Sequence, residues 1–196
     1  MEIGRFYSFA NKAIILFVYM FFFGSCSENK KYSNTIRVSD AFFDGEVKVE
    51  KIEKLSKYKL TIFNSITGES DHIYTPYEIF HMETGDVNHD GKTDICMGII
   101  KPTPFDSVFK KRLFIFQIDR DYIRPLWLGS RLVYPMEEFK ICKDSDRYTI
   151  KTIERQNIDL FCINEYRWES FGMSFLRKHK DSLTYANAKS LLDNLQ

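Results

Sequence analysis

Between residues 46 and 176 the chain is written in short runs of aromatic and β-branched residues, and no run keeps a helical period. Side chains of that kind suit a pleated, half-buried surface, and turn-forming residues between the runs stop each one early. Strands are readable at 46–50, 59–66, 72–74, 94–100, 112–118, 122–128, 139–142, 148–154, 158–164 and 166–176, the last open to a break at Gly172. Thr67-Gly68, Asp119-Arg120-Asp121 and residues 143–146 supply turns. The rhythm predicts an antiparallel, all-β domain over 35–180. Residues 113–116 and 126–128 are apolar without interruption, as expected of strands covered on both faces.

A weak repeat runs through that domain. Leu60-Thr61-Ile62-Phe63, Leu113-Phe114-Ile115-Phe116 and Leu160-Phe161-Cys162-Ile163 recur at spacings of 53 and 47 residues. Units of about 40–50 residues holding four short strands are the size of a propeller blade. Three units, roughly 36–75, 79–130 and 136–178, are fewer than the usual four or more. The pattern therefore allows a blade-like stack, a sandwich or a distorted barrel. Residues 181–196 change character. Ser182 or Thr184 can cap a helix, and Ala188, Leu191, Leu192 and Leu195 form an i, i+3, i+4, i+7 stripe. That helix is expected to cover an open sheet edge, with docking to a partner as the other use.

The N-terminus belongs to a different category. Arg5 and Lys12 precede eleven uncharged residues, 13–23, too few for a bilayer span of about 20 but suited to a signal-peptide core. Phe23-Gly24-Ser25-Cys26 follows and resembles the bacterial lipobox. The resemblance implies a signal helix in 1–25 that is removed, a diacylglyceryl group on Cys26, and a domain held on a membrane by acyl chains. Residues 26–34 are polar and read as a lipidated tether. An uncleaved anchor and plain secretion are the alternatives, and Asn11 and Lys12 speak against the first. The expected location is the cell envelope, at the outer rather than the inner membrane.

Charge excludes one class of partner. Of 28 basic and 27 acidic residues, 1–25 hold Arg5, Lys12 and Glu2, so the remainder is electroneutral and offers no basic stripe to nucleic acid. Beyond Cys26 stand three cysteines, Cys96, Cys142 and Cys162, each in an apolar run. An odd set cannot pair fully. Buried free thiols are expected, with a Cys142–Cys162 bridge as the alternative.

One stretch carries chemistry: Gly85-Asp86-Val87-Asn88-His89-Asp90-Gly91-Lys92-Thr93-Asp94. Ca²⁺ takes about six to eight oxygens. Alternate positions of a tight loop offer Asp86, Asn88 and Asp90, Gly91 permits the sharp bend, the Lys92 carbonyl can face inward, and Asp94 closes the ring. Lys92 is expected to point its side chain to solvent, and His89 likewise. An EF-hand would need Glu at loop position 12, where Met97 stands, and helices on both sides. The stretch instead resembles the calcium loop of FG-GAP or VCBS repeats, the blades of integrin-α-type propellers. The likeness is close over 85–98 and looser to 112–118, and it implies a structural Ca²⁺ leading into a buried strand. The other two units lack the loop, with Asp144-Ser145-Asp146 at most a remnant. Residues 111–132 are also similar to a group of bacterial envelope lipoproteins without assigned activity.

No catalytic constellation is readable. His72, His81, His89 and His179 are scattered, and no nucleophile elbow, phosphate loop or dinucleotide fingerprint occurs. Two segments could carry a protein or glycan ligand. One is the proline-bearing loop 101–111 with Phe105 and Phe109, and the other is 166–171, where Arg167 neighbours Trp168. Core packing is the competing use of each aromatic. The sequence thus leads to a calcium-stabilised, lipid-anchored binding or assembly module without catalysis. Its alternatives are an accessory subunit docking a larger envelope complex through its C-terminal helix, and an envelope hydrolase.

Overall fold

The computed structural model describes residues 33–104, 106–129, 131–145 and 147–195; the signal segment, Cys26, most of the tether and Phe105 lie outside them. The all-β, antiparallel reading holds. Strands β1 (Ser33–Ser39), β2 (Asp44–Ile52), β3 (Lys57–Asn64) and β4 (Ser70–Thr75) form a first sheet in chain order. Strands β5 (Glu78–Gly85), β6 (Asp94–Thr103), β7 (Asp106–Asp119) and β8 (Tyr122–Trp127) form a second. Strands β9 (Met136–Asp144), β10 (Arg147–Arg155), β11 (Phe161–Glu169) and β12 (Gly172–Leu183) form a third, followed by helix α1 (Tyr185–Asn194). Each sheet is a separate four-stranded meander, so the blade-like stack is the arrangement adopted.

Alternation along the strands explains the stacking. In β6, Ile95, Met97 and Ile99 point one way and meet Val47, Val49, Leu60 and Ile62 of the first sheet. Cys96 points the other way, with Leu113 and Ile115 of β7, and meets Phe139 and Ile150 of the third. The second sheet is therefore apolar on both faces. Each of these side chains contributes roughly 1.5–3 kcal/mol on burial. A bulge at Phe80 places its ring where a Cβ on Gly98 would stand, 2.4 Å away, so a larger residue there must displace the ring.

The ends of the stack are sealed differently. The outward face of the first sheet carries Glu46, Lys48 and Lys59, and Lys48 pairs with Glu50 at 2.9 Å. The far face of the third sheet offers Ile153, Phe161 and Ile163, and these are covered by Ala188 and Leu192 of α1. Thr184 caps the helix by accepting from the Asn187 N–H at 3.4 Å. Helix α1 thus covers a face, not the expected edge, because its apolar stripe needs apolar partners. A stack with one polar end and one capped end requires no ring closure, as in solenoids.

Two details depart from expectation. Strands β1 and β5 are additional. Segments 158–164 and 166–176 regroup as β11 and β12, with the break at Ser170-Phe171. Ile158 belongs to a turn organised by Asn157, whose Oδ1 accepts from the N–H groups of Asp159 (3.1 Å) and Leu160 (2.9 Å), leaving Ile158 82 % exposed. The cysteines agree with expectation: Cys96, Cys142 and Cys162 are all buried free thiols. Cys142 pairs across from Thr149 and Cys162 from Glu154, so the two cysteines lie on opposite faces of one sheet and cannot bridge.

Candidate functional site

Loop 86–94 joins the end of β5 to the start of β6. Asn88 Oδ1 accepts from the Asp90 N–H at 3.2 Å and Asp90 Oδ1 from the Lys92 N–H at 2.9 Å, two successive Asx turns. Asp86 spans the loop, its oxygens taking the N–H groups of Asp90 (3.0 Å) and Gly91 (2.9 Å). Asp94 Oδ2 accepts from the N–H groups of Val87 (2.9 Å) and Asn88 (3.3 Å). Exposed His89 and Gly91 both turn left-handed, at φ 62° and 83°. At Gly91 the backbone angle, not crowding, favours glycine, since a Cβ would meet nothing nearer than 3.9 Å.

Asp94 is the unusual group. It is wholly buried, and its Oδ1 has no hydrogen-bond partner. Burial raises its carboxyl to about 7, the charges of Asp90 and Asp86 add to the rise, and the Asn88 and Val87 N–H bonds oppose it. A buried carboxylate oxygen left without a donor is costly, and native structures rarely keep one without a further partner. The cation implied by the resemblance fits this donor set, because Asp86, Asn88, Asp90 and Asp94 are all hard oxygen donors and one of their oxygens is unclaimed. Among the described residues, no three His, Cys, Asp or Glu side chains converge tightly enough to hold a metal as they stand. Asp86 and Asp90 rest on loop N–H groups instead.

Neighbours that the sequence did not reveal fix the loop to its surroundings. Lys92 does not reach into solvent: its Nζ meets Asp119 Oδ1 of β7 at 3.0 Å and lies 5.8 Å from the Phe42 ring. The Gln117 amide donates to Asp90 Oδ2. Asp40, in the turn after β1, accepts from the Thr93 N–H at 2.8 Å and from Phe42 (2.7 Å) and Phe43 (2.9 Å). Burial tends to raise the Asp40 carboxyl, but these N–H bonds outweigh it and hold it below its ordinary value. The partners lie far away in the chain, and no local pattern announces them.

Of the four residues read as a ligand surface, Phe105 lies outside the described residues, and the other three are split between the two ends of β6. Arg167 and Trp168 line a shallow hollow of about 370 Å³ beside Asn88, His89 and Tyr148, so they border the loop. Arg167 Nε is held by Glu169 at 2.6 Å, and Trp168 packs partly into the second core. Phe109 stands at the other end of β6, in the β6–β7 hairpin, 64 % exposed and 6.2 Å from the Tyr77 ring.

Two further acids are buried in the third sheet. Glu154 accepts from Thr152 Oγ1 (2.7 Å), Tyr166 Oη (2.7 Å), Asn164 Nδ2 (2.9 Å) and the Tyr134 N–H (2.7 Å). Glu165 accepts from Thr149 Oγ1 at 2.8 Å and Arg177 Nε at 2.6 Å, and meets His179 Nε2 at 2.8 Å. Both are saturated, and Glu154 anchors the crossing into the third sheet. No family model matches the chain, and no curated protein or solved structure is similar to it.

Proposed function

We propose that this protein is a calcium-stabilised β module of the bacterial cell envelope, tethered by lipid on Cys26 and acting by binding or assembly, not catalysis. The observation that carries the calcium reading is the unclaimed, buried Oδ1 of Asp94 at the head of an oxygen-rich loop. Asp86, Asn88 and Asp90 would hold the ion with their side chains, Lys92 with its carbonyl, and Asp94 with its carboxylate. A bound Ca²⁺ supplies two positive charges to three carboxylates. The chain's own residues then transmit that order: Asp40 ties the loop to the first sheet, and Gln117 and Lys92 tie it to β7. Extracellular calcium modules bind at about 10⁻⁴–10⁻³ M, which suffices outside the cytosol.

The test is a thermal melt of the protein in excess Ca²⁺ and in chelator. At a hundredfold excess over Kd, calcium adds about 2.7 kcal/mol, a rise in Tm of roughly 5–10 °C for a chain of this size. Equal melting temperatures would remove the metal from the account. The anchor is tested separately: labelled palmitate enters the wild-type chain in bacteria and fails to enter Cys26→Ala. Labelling that survives the substitution overturns the lipobox assignment.

A further inference from the structure

A cleft of about 1090 Å³ opens at the other end of β6, between the first sheet, the second sheet and the segment from Leu128 to Met136 that leads into the third. Its floor is made by Leu60 and Ile73 of the first sheet and by Ile79, Met97, Ile99 and Phe114 of the second. Its rim carries Lys101, Lys110, Lys111, Arg112 and Arg131, with Asp106 as the one acid among the lining residues.

The register shows why the two zones adjoin. Met97 lies opposite Phe114, Ile99 opposite Arg112, and Lys101 opposite Lys110. Side chains two apart share a face, so these rows form one surface that changes from apolar to cationic along its length. From the Met97 row to the Lys101 row is four residues, about 13 Å. The buried floor of Leu60, Ile79 and Met97 gives way outward to half-exposed cations.

The rim carries more cation than its acids neutralise. Asp106 alone serves both Lys110 Nζ (3.0 Å) and Arg112 Nη2 (2.9 Å), and Glu137 takes Lys111 at 3.3 Å. Lys101 Nζ faces the Tyr77 ring at 5.0 Å and the Phe114 ring at 5.1 Å. Neither it nor Arg131 has a carboxylate partner among the described residues. Five cations against two acids leave a surplus of three positive charges over an apolar trough.

We propose that this cleft binds a single-chain anionic amphiphile, its acyl chain lying on the Met97–Phe114 floor and its carboxylate or phosphate held by Lys101 and Arg131. A volume near the upper end of small-ligand pockets, roughly 1,000 Å³, accommodates one such chain. A neutral lipid would leave the cations unanswered, and a small anion would leave the apolar part of the cleft unfilled. This inference stands on the cleft alone and does not depend on calcium in the loop.

The test uses the full chain in membranes and a fatty acid bearing a photoactivatable diazirine in its tail. Crosslinks are expected in peptides covering 95–116, and excess oleate or oleoyl lysophosphatidate should remove them while monoolein does not. Whichever acid competes better identifies the headgroup. The Lys101→Met, Arg131→Gln double variant should lower labelling about tenfold at sub-saturating probe, as expected for two lost ion contacts. Leu128→Trp, at an exposed lining position, should block it by filling the mouth. Crosslinks elsewhere on the protein, equal competition by monoolein, or labelling indifferent to both variants would each overturn the assignment.

Discussion

The two ends of β6 carry opposite charge and are built by opposite means. At one end, Asp86, Asp90 and Asp94 gather within nine residues, and backbone N–H groups of the same loop satisfy all but one of their buried oxygens. At the other, Lys101, Arg112 and Arg131 come from separate segments: Arg112 is held by Asp106 and by the Lys101 carbonyl at 3.0 Å, while Lys101 and Arg131 have no carboxylate partner among the described residues. The ends stand about 30 Å apart along one strand. Local acids fold themselves: a carboxylate can be neutralised by the turn it belongs to. Cations on a strand depend on partners from elsewhere: Arg112 reaches the Lys101 carbonyl and Lys111 that of Glu137, and Lys101 and Arg131 find no carboxylate among the described residues. Lys101 and Arg131 are therefore left for solvent or for a ligand, and the acid end is left with a single unmet buried oxygen.

Substitutions at Asp94 test the acid end most severely. Asp94→Ala removes the acceptor for two loop N–H groups, one of them at buried Val87, which costs about 2–4 kcal/mol in a denaturant titration. Asp94→Asn keeps an acceptor at Oδ and gives up the buried charge, so in chelator it should unfold close to wild type. Both variants should lose any response to calcium. A calcium response retained by Asp94→Ala would separate the loop's folding role from metal binding and break the comparison.

Asp40→Ala should cost less, about 1 kcal/mol, because its partly exposed N–H partners recover water. Its pH dependence has a definite sign. The folded carboxyl is held below its ordinary value of 3.8, so its contribution is complete above that value. It is lost as pH falls from there through the lower folded value, and the variant should show a flatter acid limb in stability against pH.

How much of this could be read in advance follows the same division. The loop was legible because its oxygen-bearing side chains, its glycine and its strand are consecutive. The three units were legible because Leu60, Leu113 and Leu160 begin or adjoin apolar stretches at comparable spacing. Strand β5 was hidden by its bulge at Phe80, which puts Ile79 and Met82 in the same core and breaks the two-residue period. Strand β1 has only Ile36 and Val38 as apolar side chains and begins at Ser33, within the segment read as a polar tether. The cleft could not be read at all. Leu60, Ile73, Met97 and Arg131 become neighbours only when two meanders stack, and each alone resembles an ordinary core or surface residue. Asp40 and Asp119 were missed for the same reason.

The smallest effect on stability should come from the most informative change at the basic end. Asp106 is held down to about 2, first by Lys110 and then by Arg112, so its clamp on both cations persists through almost the whole acid range. It is nevertheless a surface group, and ion pairs of that kind add little to folding. Asp106→Asn should therefore leave the melting temperature nearly unchanged. It should also free Lys110 and Arg112 to face the cleft, raising the excess of positive charge by one. Binding of an anionic amphiphile should tighten and become more sensitive to salt, since screening weakens exposed pairs, while the calcium response at the far end of β6 stays as it was. If the variant instead weakened binding of the anionic probe, Asp106 would be a positioning residue that holds the two cations in place, and the rim would act by geometry more than by its surplus charge.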